Sequence, residues 1–221
     1  MFEPWTILQD FLLAFSALFS IVNPPGSAFI FGQVTADRSH VQRQILARQV
    51  AVYAAAVMLV ALWGGVYVLR FFGITVDALR IAGGLVVAVR AWELLSQPER
   101  NEARKQVEAA ETSNTDDLAF FPLTMPFTTG PGTISVAIAL GSNVPGDTTR
   151  QVAYVIGASV AALAVAILVW VSYRSADSLL DWLGVGRVRV LSRLFAFLLL
   201  CIGTQITLNG ATTVLRAVLH P

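Results

Sequence analysis

The residues best suited to bind a small ligand lie in two short stretches, NPPGS at 23–27 and TTGPGT at 128–133. Each stretch interrupts an apolar run, and lipid offers no hydrogen-bonding partner to the backbone groups that such a break frees. Proline suits the first turn of a helix, so each stretch is predicted to end one half-helix and start another. Broken backbone at membrane depth survives only beside protein or a wet cavity, so both breaks are candidate binding sites.

The chemistry of the two breaks suits a zwitterion. A restarted half-helix presents free N–H groups and the positive end of its dipole, which attract a carboxylate. The preceding half-helix ends in carbonyl oxygens, which suit a cation or an ammonium group. A kink can also serve packing alone, but two breaks at corresponding places favour a site. The predicted substrate-binding residues are Asn23, Pro24, Gly26, Ser27, Thr129, Gly130, Pro131, Gly132, Thr133 and Gln205.

Gln205 stands apart from the two breaks, one helical turn from Asn209 in a later apolar run. The pair could line the same cavity or hydrogen-bond a neighbouring helix, and the sequence leaves both readings open.

The sequence shows no motif for catalysis, phosphate binding or metal binding. The sequence holds no nucleophile–base pair, phosphate loop or metal cluster, so we expect neither an enzyme nor a bound metal or cofactor. The formal net charge of +1 also argues against a nucleic-acid partner.

The composition is that of a membrane protein. Of the 221 residues, 56% are hydrophobic and only 13% are charged. Three runs of more than 20 residues, at 49–69, 151–173 and 194–215, carry no charge at all. About 20 apolar residues span the hydrocarbon core of a bilayer, so the chain is predicted to cross the membrane several times.

The hydrophobic pattern predicts six transmembrane helices, with helices one and four broken. A polar linker at 96–117 divides the chain into a first three-helix repeat at 1–95 and a second at 118–221. The stretch 174–193 is predicted to be an interfacial connection. The predicted spans are Phe11–Phe31, Gln49–Leu69, about 75–95, Leu118–Leu140, Gln151–Tyr173 and about 194–215.

The two halves resemble each other in the order of their features. RQVAVY at 48–53 recurs as RQVAYV at 150–155, each directly after a broken span and before an arginine-led apolar run. Three spans in each half put the halves in opposite orientation. The sequence therefore predicts an all-α polytopic membrane protein built as two inverted repeats; the rival is a six-helix bundle without repeats.

The distribution of basic residues predicts the orientation. With both termini outside, eleven of the 15 Lys and Arg residues fall in cytoplasmic segments, including the 96–117 linker. The positive-inside rule therefore favours an N-out, C-out topology.

Four stretches together resemble the MarC family of bacterial and archaeal membrane proteins: NPPGSAFIF, LRIAGGLVVAV, DLAFFPLTMPFTTGPGTIS and TQITLNG. The family is related to LysE-type exporters and includes SnatA-type transporters. The resemblance implies an inner-membrane protein that moves small neutral amino acids such as glycine or alanine, driven by H⁺ or Na⁺. The matching positions are Asn23, Pro24, Gly26, Gly130, Pro131, Gly132 and Gln205. Thr128–Thr129 and Trp92–Glu93 depart from the family pattern and leave the substrate open.

The sequence therefore predicts a secondary transporter whose partners are a small neutral amino acid and the lipid bilayer. A carboxylate is expected at the bilayer midplane between two half-helix N-termini. The alternatives are a passive channel for a small solute and a family member without transport activity. Direction of transport, coupling ion and oligomeric state are left open.

Overall fold

The computed structural model describes residues 4–96, 118–142, 144–145 and 148–219. All regular structure in these ranges is helical, as predicted, and consists of seven α-helices and one irregular helical segment. The helices are α1 Pro4–Val22, α2 Pro24–Val34, α3 His40–Phe71, α4 Val76–Ser96, α5 Pro131–Gly141, α6 Thr148–Arg174 and α7 Ala176–Leu219, and the irregular segment is Ala119–Thr128.

Four helical stretches in the described residues are long and apolar enough to cross a membrane, so the chain is a multi-pass protein. They are Trp5–Gly32, His40–Phe71, Arg150–Arg174 and Ala196–Arg216. The two other predicted spans do not reach that criterion. Although α4 matches the predicted third span, it carries Arg80, Arg90 and Glu93. The apolar helix α5 has only 11 residues.

The stretch 174–193 differs from the predicted connection because it is almost entirely helical. Helix α7 begins at Ala176 and continues for 44 residues. At 1.5 Å per residue it is about 66 Å long, roughly twice the thickness of the hydrocarbon core. The predicted sixth span is therefore the second half of a longer helix. The predicted linker, apart from Ser96, lies outside the described residues.

The first break is a single residue. Helix α1 ends at Val22, Asn23 adopts a left-handed φ of 47°, and α2 begins at Pro24. Asparagine is one of the few residues that tolerates this conformation. The two prolines that follow cannot continue the hydrogen-bond ladder of α1, so the chain restarts as a new helix.

The second break is longer because prolines interrupt it twice. Phe121 and Met125 adopt extended backbone angles inside the irregular segment. Each precedes a proline, and the proline ring disfavours the helical conformation at that position. Gly130 is also extended, and Pro131 then begins α5.

Each broken helix packs against a long unbroken helix of the opposite half of the chain. Helix α1 packs on α6, α5 and the irregular segment pack on α3, and α4 packs on α7. Alanine and valine on α6 form much of the shared core, and the Trp63 indole of α3 donates a hydrogen bond to Ser159 of α6 at 3.2 Å. Large apolar side chains such as Val60 and Ile167 remain exposed on the outside, where lipid would contact them.

Candidate functional site

The first break satisfies its own backbone groups. The Asn23 amide donates to Phe19 O at 2.9 Å, and Asn23 Oδ1 accepts from the Gly26 amide at 3.3 Å. Ser27 N then donates to Asn23 O at 2.9 Å, and the two intervening prolines have no N–H. The start of α2 therefore presents no free N–H group, and the expectation of donors at both half-helix starts is wrong here.

The cap formed by Asn23 explains why residue 26 is a glycine. A Cβ at Gly26 would overlap the Asn23 side-chain amide, so glycine makes room for the side chain that accepts its own N–H. The sequence-based role, close approach of a ligand to the backbone, is not needed to explain the residue.

The second break does leave donors. Gly130 provides no side-chain cap, and Ile134 N donates to Gly130 O at 3.1 Å as the first intrahelical bond of α5. Within the described residues the amides of Gly132 and Thr133 have no acceptor. Both residues are buried, and they lie at the positive end of the α5 dipole.

Gly132 also lies where α5 packs against both α4 and α1. A Cβ there would overlap Val87 Cγ2 of α4 and would lie 3.4 Å from Ile21 Cδ1 of α1. Ile21 is two residues from Asn23, so the two breaks are neighbours in the folded protein. Close packing alone is sufficient to require glycine at this position.

Three hydroxyl groups beside the breaks bond to carbonyl oxygens five residues earlier in the chain. Ser27 Oγ donates to Val22 O at 2.9 Å, and Thr128 Oγ1 donates to Leu123 O at 2.7 Å. Thr129 Oγ1 donates to Thr124 O at 3.3 Å, and the same carbonyl accepts from the Thr129 amide at 2.8 Å. The three side chains are therefore held by the backbone of their own broken helix.

Tyr173 joins the two breaks and was not predicted from the sequence. Its hydroxyl lies 2.6 Å from Thr128 Oγ1, and the Ser27 side chain lies close to it. Its ring stacks on Phe31 of α2 with centroids 4.5 Å apart. We call Ser27, Thr128 and Tyr173 the hydroxyl cluster. The only sequence signal is a tyrosine at the end of a charge-free run, which carries no indication of its partners.

Gln205 is not part of this arrangement. Its side chain is exposed on α7, and its Nε2 donates to Asn209 Oδ1 at 2.9 Å. The buried face of the same helix is formed by Gly203 and Gly210, which contact α4.

The fold and this site define a multi-pass helical membrane protein in which two discontinuous helices meet at a buried hydroxyl cluster. The family model described as the MarC family integral membrane protein matches residues 8–215, and the chain belongs to that family. As a member with several apolar spans, it is an integral protein of the inner membrane.

Three relatives illustrate the similarity, each named UPF0056 inner membrane protein MarC. They come from Salmonella paratyphi B, Escherichia coli O1:K1 and Citrobacter koseri. Each is 32% identical over 209 residues, covering 92% of this chain and 95% of the relative. No solved structure matches the chain.

Proposed function

We propose that this protein is a secondary transporter of small neutral amino acids such as glycine or alanine. One observation carries the proposal: the Tyr173 hydroxyl bonds to Thr128 beside the second break, and its ring stacks on Phe31 of α2, the helix that starts at the first break. Paired discontinuous helices that meet at one place are how many secondary transporters build a substrate site.

The substrate carboxylate is assigned to the start of α5. The free amides of Gly132 and Thr133 supply donors, and the helix dipole adds positive potential. From the sequence, the substrate carboxylate was expected between the N-termini of two half-helices. Because the N–H groups at the start of α2 are capped, only the start of α5 is assigned to the carboxylate.

The substrate amino group is assigned to the hydroxyl cluster. The Ser27 hydroxyl donates to a carbonyl, and the hydrogen bonds of Thr128 also lie within the protein. Oxygen lone pairs are therefore what the cluster can offer, and they accept hydrogen bonds from an ammonium group. Since the two assigned positions are uncharged and tightly packed, a small neutral side chain suits them best.

Alternating access is required because the site is closed. Ser27, Thr128 and Tyr173 are 7%, 2% and 3% exposed, so a ligand reaches them only when helices separate. We propose that the two halves move against each other as inverted repeats with six membrane crossings and both termini outside.

The pairing of helices supports this symmetry. Exchanging the halves maps α1 onto the irregular segment, α2 onto α5, α3 onto α6 and α4 onto α7. The contact of α1 with α6 then corresponds to that of the irregular segment with α3, and the contact of α2 with α6 to that of α5 with α3. The contact of α1 with α5 corresponds to that of the irregular segment with α2, and the contacts of α3 with α6 and of α4 with α7 map onto themselves. The contact of α4 with α5 corresponds to that of α7 with α2. A bundle without repeats has no reason to show this correspondence.

The test is exchange by the purified protein in liposomes. Vesicles loaded with unlabelled alanine should accumulate external labelled alanine or glycine with saturation, and empty vesicles should not. Tyr173→Phe should reduce the exchange rate, whereas the matched variant Tyr53→Phe should leave it unchanged. Absence of exchange for every small neutral amino acid tested, with correctly inserted protein, would overturn the proposal. Flux that neither saturates nor needs internal substrate would indicate a passive channel instead.

A further inference from the structure

Asp10 of α1 is a carboxylate where the fold has no evident use for one. The residue is only 8% exposed and lies inside the first candidate span. Acidic residues are almost never buried to this extent unless they are paired. The residues one turn away on the same face of α1 include the apolar Ile7 and Ala14.

Helix α6 covers Asp10 closely. Gly157 faces it, and a Cβ at Gly157 would lie 3.1 Å from Asp10 Cβ and 3.0 Å from Ile7 O. Glycine therefore lets the backbone of α6 seal the carboxylate against α1.

The carboxylate is incompletely paired. Asp10 Oδ1 lies 3.8 Å from Arg150 Nη2, which is longer than a hydrogen bond. Oδ2 is buried and has no hydrogen-bond partner among the described residues. Tyr154 is nearby on α6, but its hydroxyl donates to Leu140 O at 2.8 Å.

Among the side chains that the structure describes, the other elements packed on α1 offer no further charge at this place. Helix α5 has no titratable side chain, and the remainder of α1 beyond Asp10 has none. The charged side chains of α7 whose exposure is described, Arg193 and Arg216, are exposed. Arg150 and Tyr154 are therefore the titratable groups that face the carboxylate within the described structure.

We propose that Asp10 is a proton-binding site, with Oδ2 as the atom that takes up the proton. The step converts a carboxylate to a neutral carboxylic acid and breaks no covalent bond. A proton needs one oxygen, whereas a hard metal cation needs about six or more. The described residues contain no group of three metal-ligating side chains.

Protonation has a direct route to the hydroxyl cluster. It removes the attraction between Asp10 of α1 and Arg150 of α6, whose nearest charged atoms lie 3.8 Å apart. Helix α6 runs unbroken from Thr148 to Arg174, so Gly157 and Tyr173 lie about 24 Å apart on one rigid element. A shift of α6 along α1 therefore moves Tyr173 relative to Ser27. This coupling rests on the proposed transport function.

The experiment compares two modes of flux in the same liposomes. Exchange of labelled alanine without a gradient tests transport itself, and accumulation driven by an inward pH gradient tests coupling. We expect Asp10→Asn to retain exchange within about twofold and to lose at least about tenfold of the pH-driven accumulation. Proton influx, followed with an internal pH-sensitive dye, should disappear with it. The matched control Asp77→Asn removes a carboxylate that is partly exposed and paired with Arg80, and should change neither mode.

Each outcome is decisive for one claim. Wild-type protein that fails to exchange overturns the proposed function. Wild-type exchange together with undiminished pH-driven accumulation in Asp10→Asn overturns the proton site. If Asp10→Asn does not fold, Asp10→Glu replaces it, since moving the carboxylate by one methylene should shift the pH dependence of exchange. An unchanged pH profile in that variant overturns the proposal.

Discussion

The Tyr173 hydroxyl lies 2.6 Å from Thr128 Oγ1, although 45 residues separate them in the chain. This hydrogen bond ties the end of α6 to the last residue of the irregular segment. Because the ring of the same tyrosine stacks on Phe31 of α2, one side chain joins the two broken helices. The transport proposal depends on this link between the two broken helices.

Tyr173→Phe removes the bridging hydroxyl and keeps the ring that stacks on Phe31. Buried Thr128 then loses a partner, which should lower the free energy of unfolding by about 1–2 kcal/mol. Exchange should fall by at least about tenfold, since the amino-group site loses one of its three oxygens. Thermal unfolding in detergent and liposome exchange measure the two effects.

Tyr53→Phe is the control for that variant. Tyr53 makes an edge-on contact with Phe120, and its hydroxyl has no hydrogen bond within the described residues. The Tyr53→Phe variant should match the wild type in thermal unfolding and in liposome exchange. Equal losses in the two variants would contradict a specific role for the Tyr173 hydroxyl.

Asn23 should tolerate glycine better than alanine. Asn23→Ala loses the cap on Gly26 and places a Cβ-bearing residue without polar compensation at φ 47°, at a combined cost of about 2 kcal/mol. Asn23→Gly loses the side-chain cap but relieves the backbone, so it should cost only a few tenths of a kcal/mol. The free energies of unfolding of the two variants give the order. Alanine equal to or better than glycine would refute the capping account.

Asn23 and Tyr173 show what sequence alone can and cannot predict. The prolines and glycines located both breaks correctly, because their backbone restrictions are local. The capped start of α2 was missed, because it depends on a side-chain rotamer of Asn23. Tyr173 was missed because its partners come from two other helices. The continuity of α7 was also missed, since charged and glycine residues at 184–193 resemble a connection.

Gly132 provides a test of packing against binding. Gly132→Ala introduces a methyl group that overlaps Val87, so it should lower the free energy of unfolding by about 1–3 kcal/mol. Adding Val87→Ala should recover at least about 0.5 kcal/mol beyond additivity, as expected for residues in contact. Measured unfolding of the single and double variants completes the cycle. Additive effects would contradict the contact.

Gln205→Leu should leave transport within about twofold of the wild type, because the side chain is exposed on α7 and, among the described residues, bonds to Asn209 alone. The same assay on Asn209→Leu should agree, since the two amides form one pair. Loss of exchange in Gln205→Leu at normal protein levels would restore this residue to the substrate site.

The most direct test of the central claim is equilibrium binding of labelled alanine to the purified protein, compared between the wild type and a Ser27→Ala/Thr128→Val variant. If both breaks form one substrate site, the wild type binds alanine saturably at one site per chain, and the variant binds at least about tenfold more weakly. Saturable binding of the same strength in both proteins would contradict a substrate site at the hydroxyl cluster.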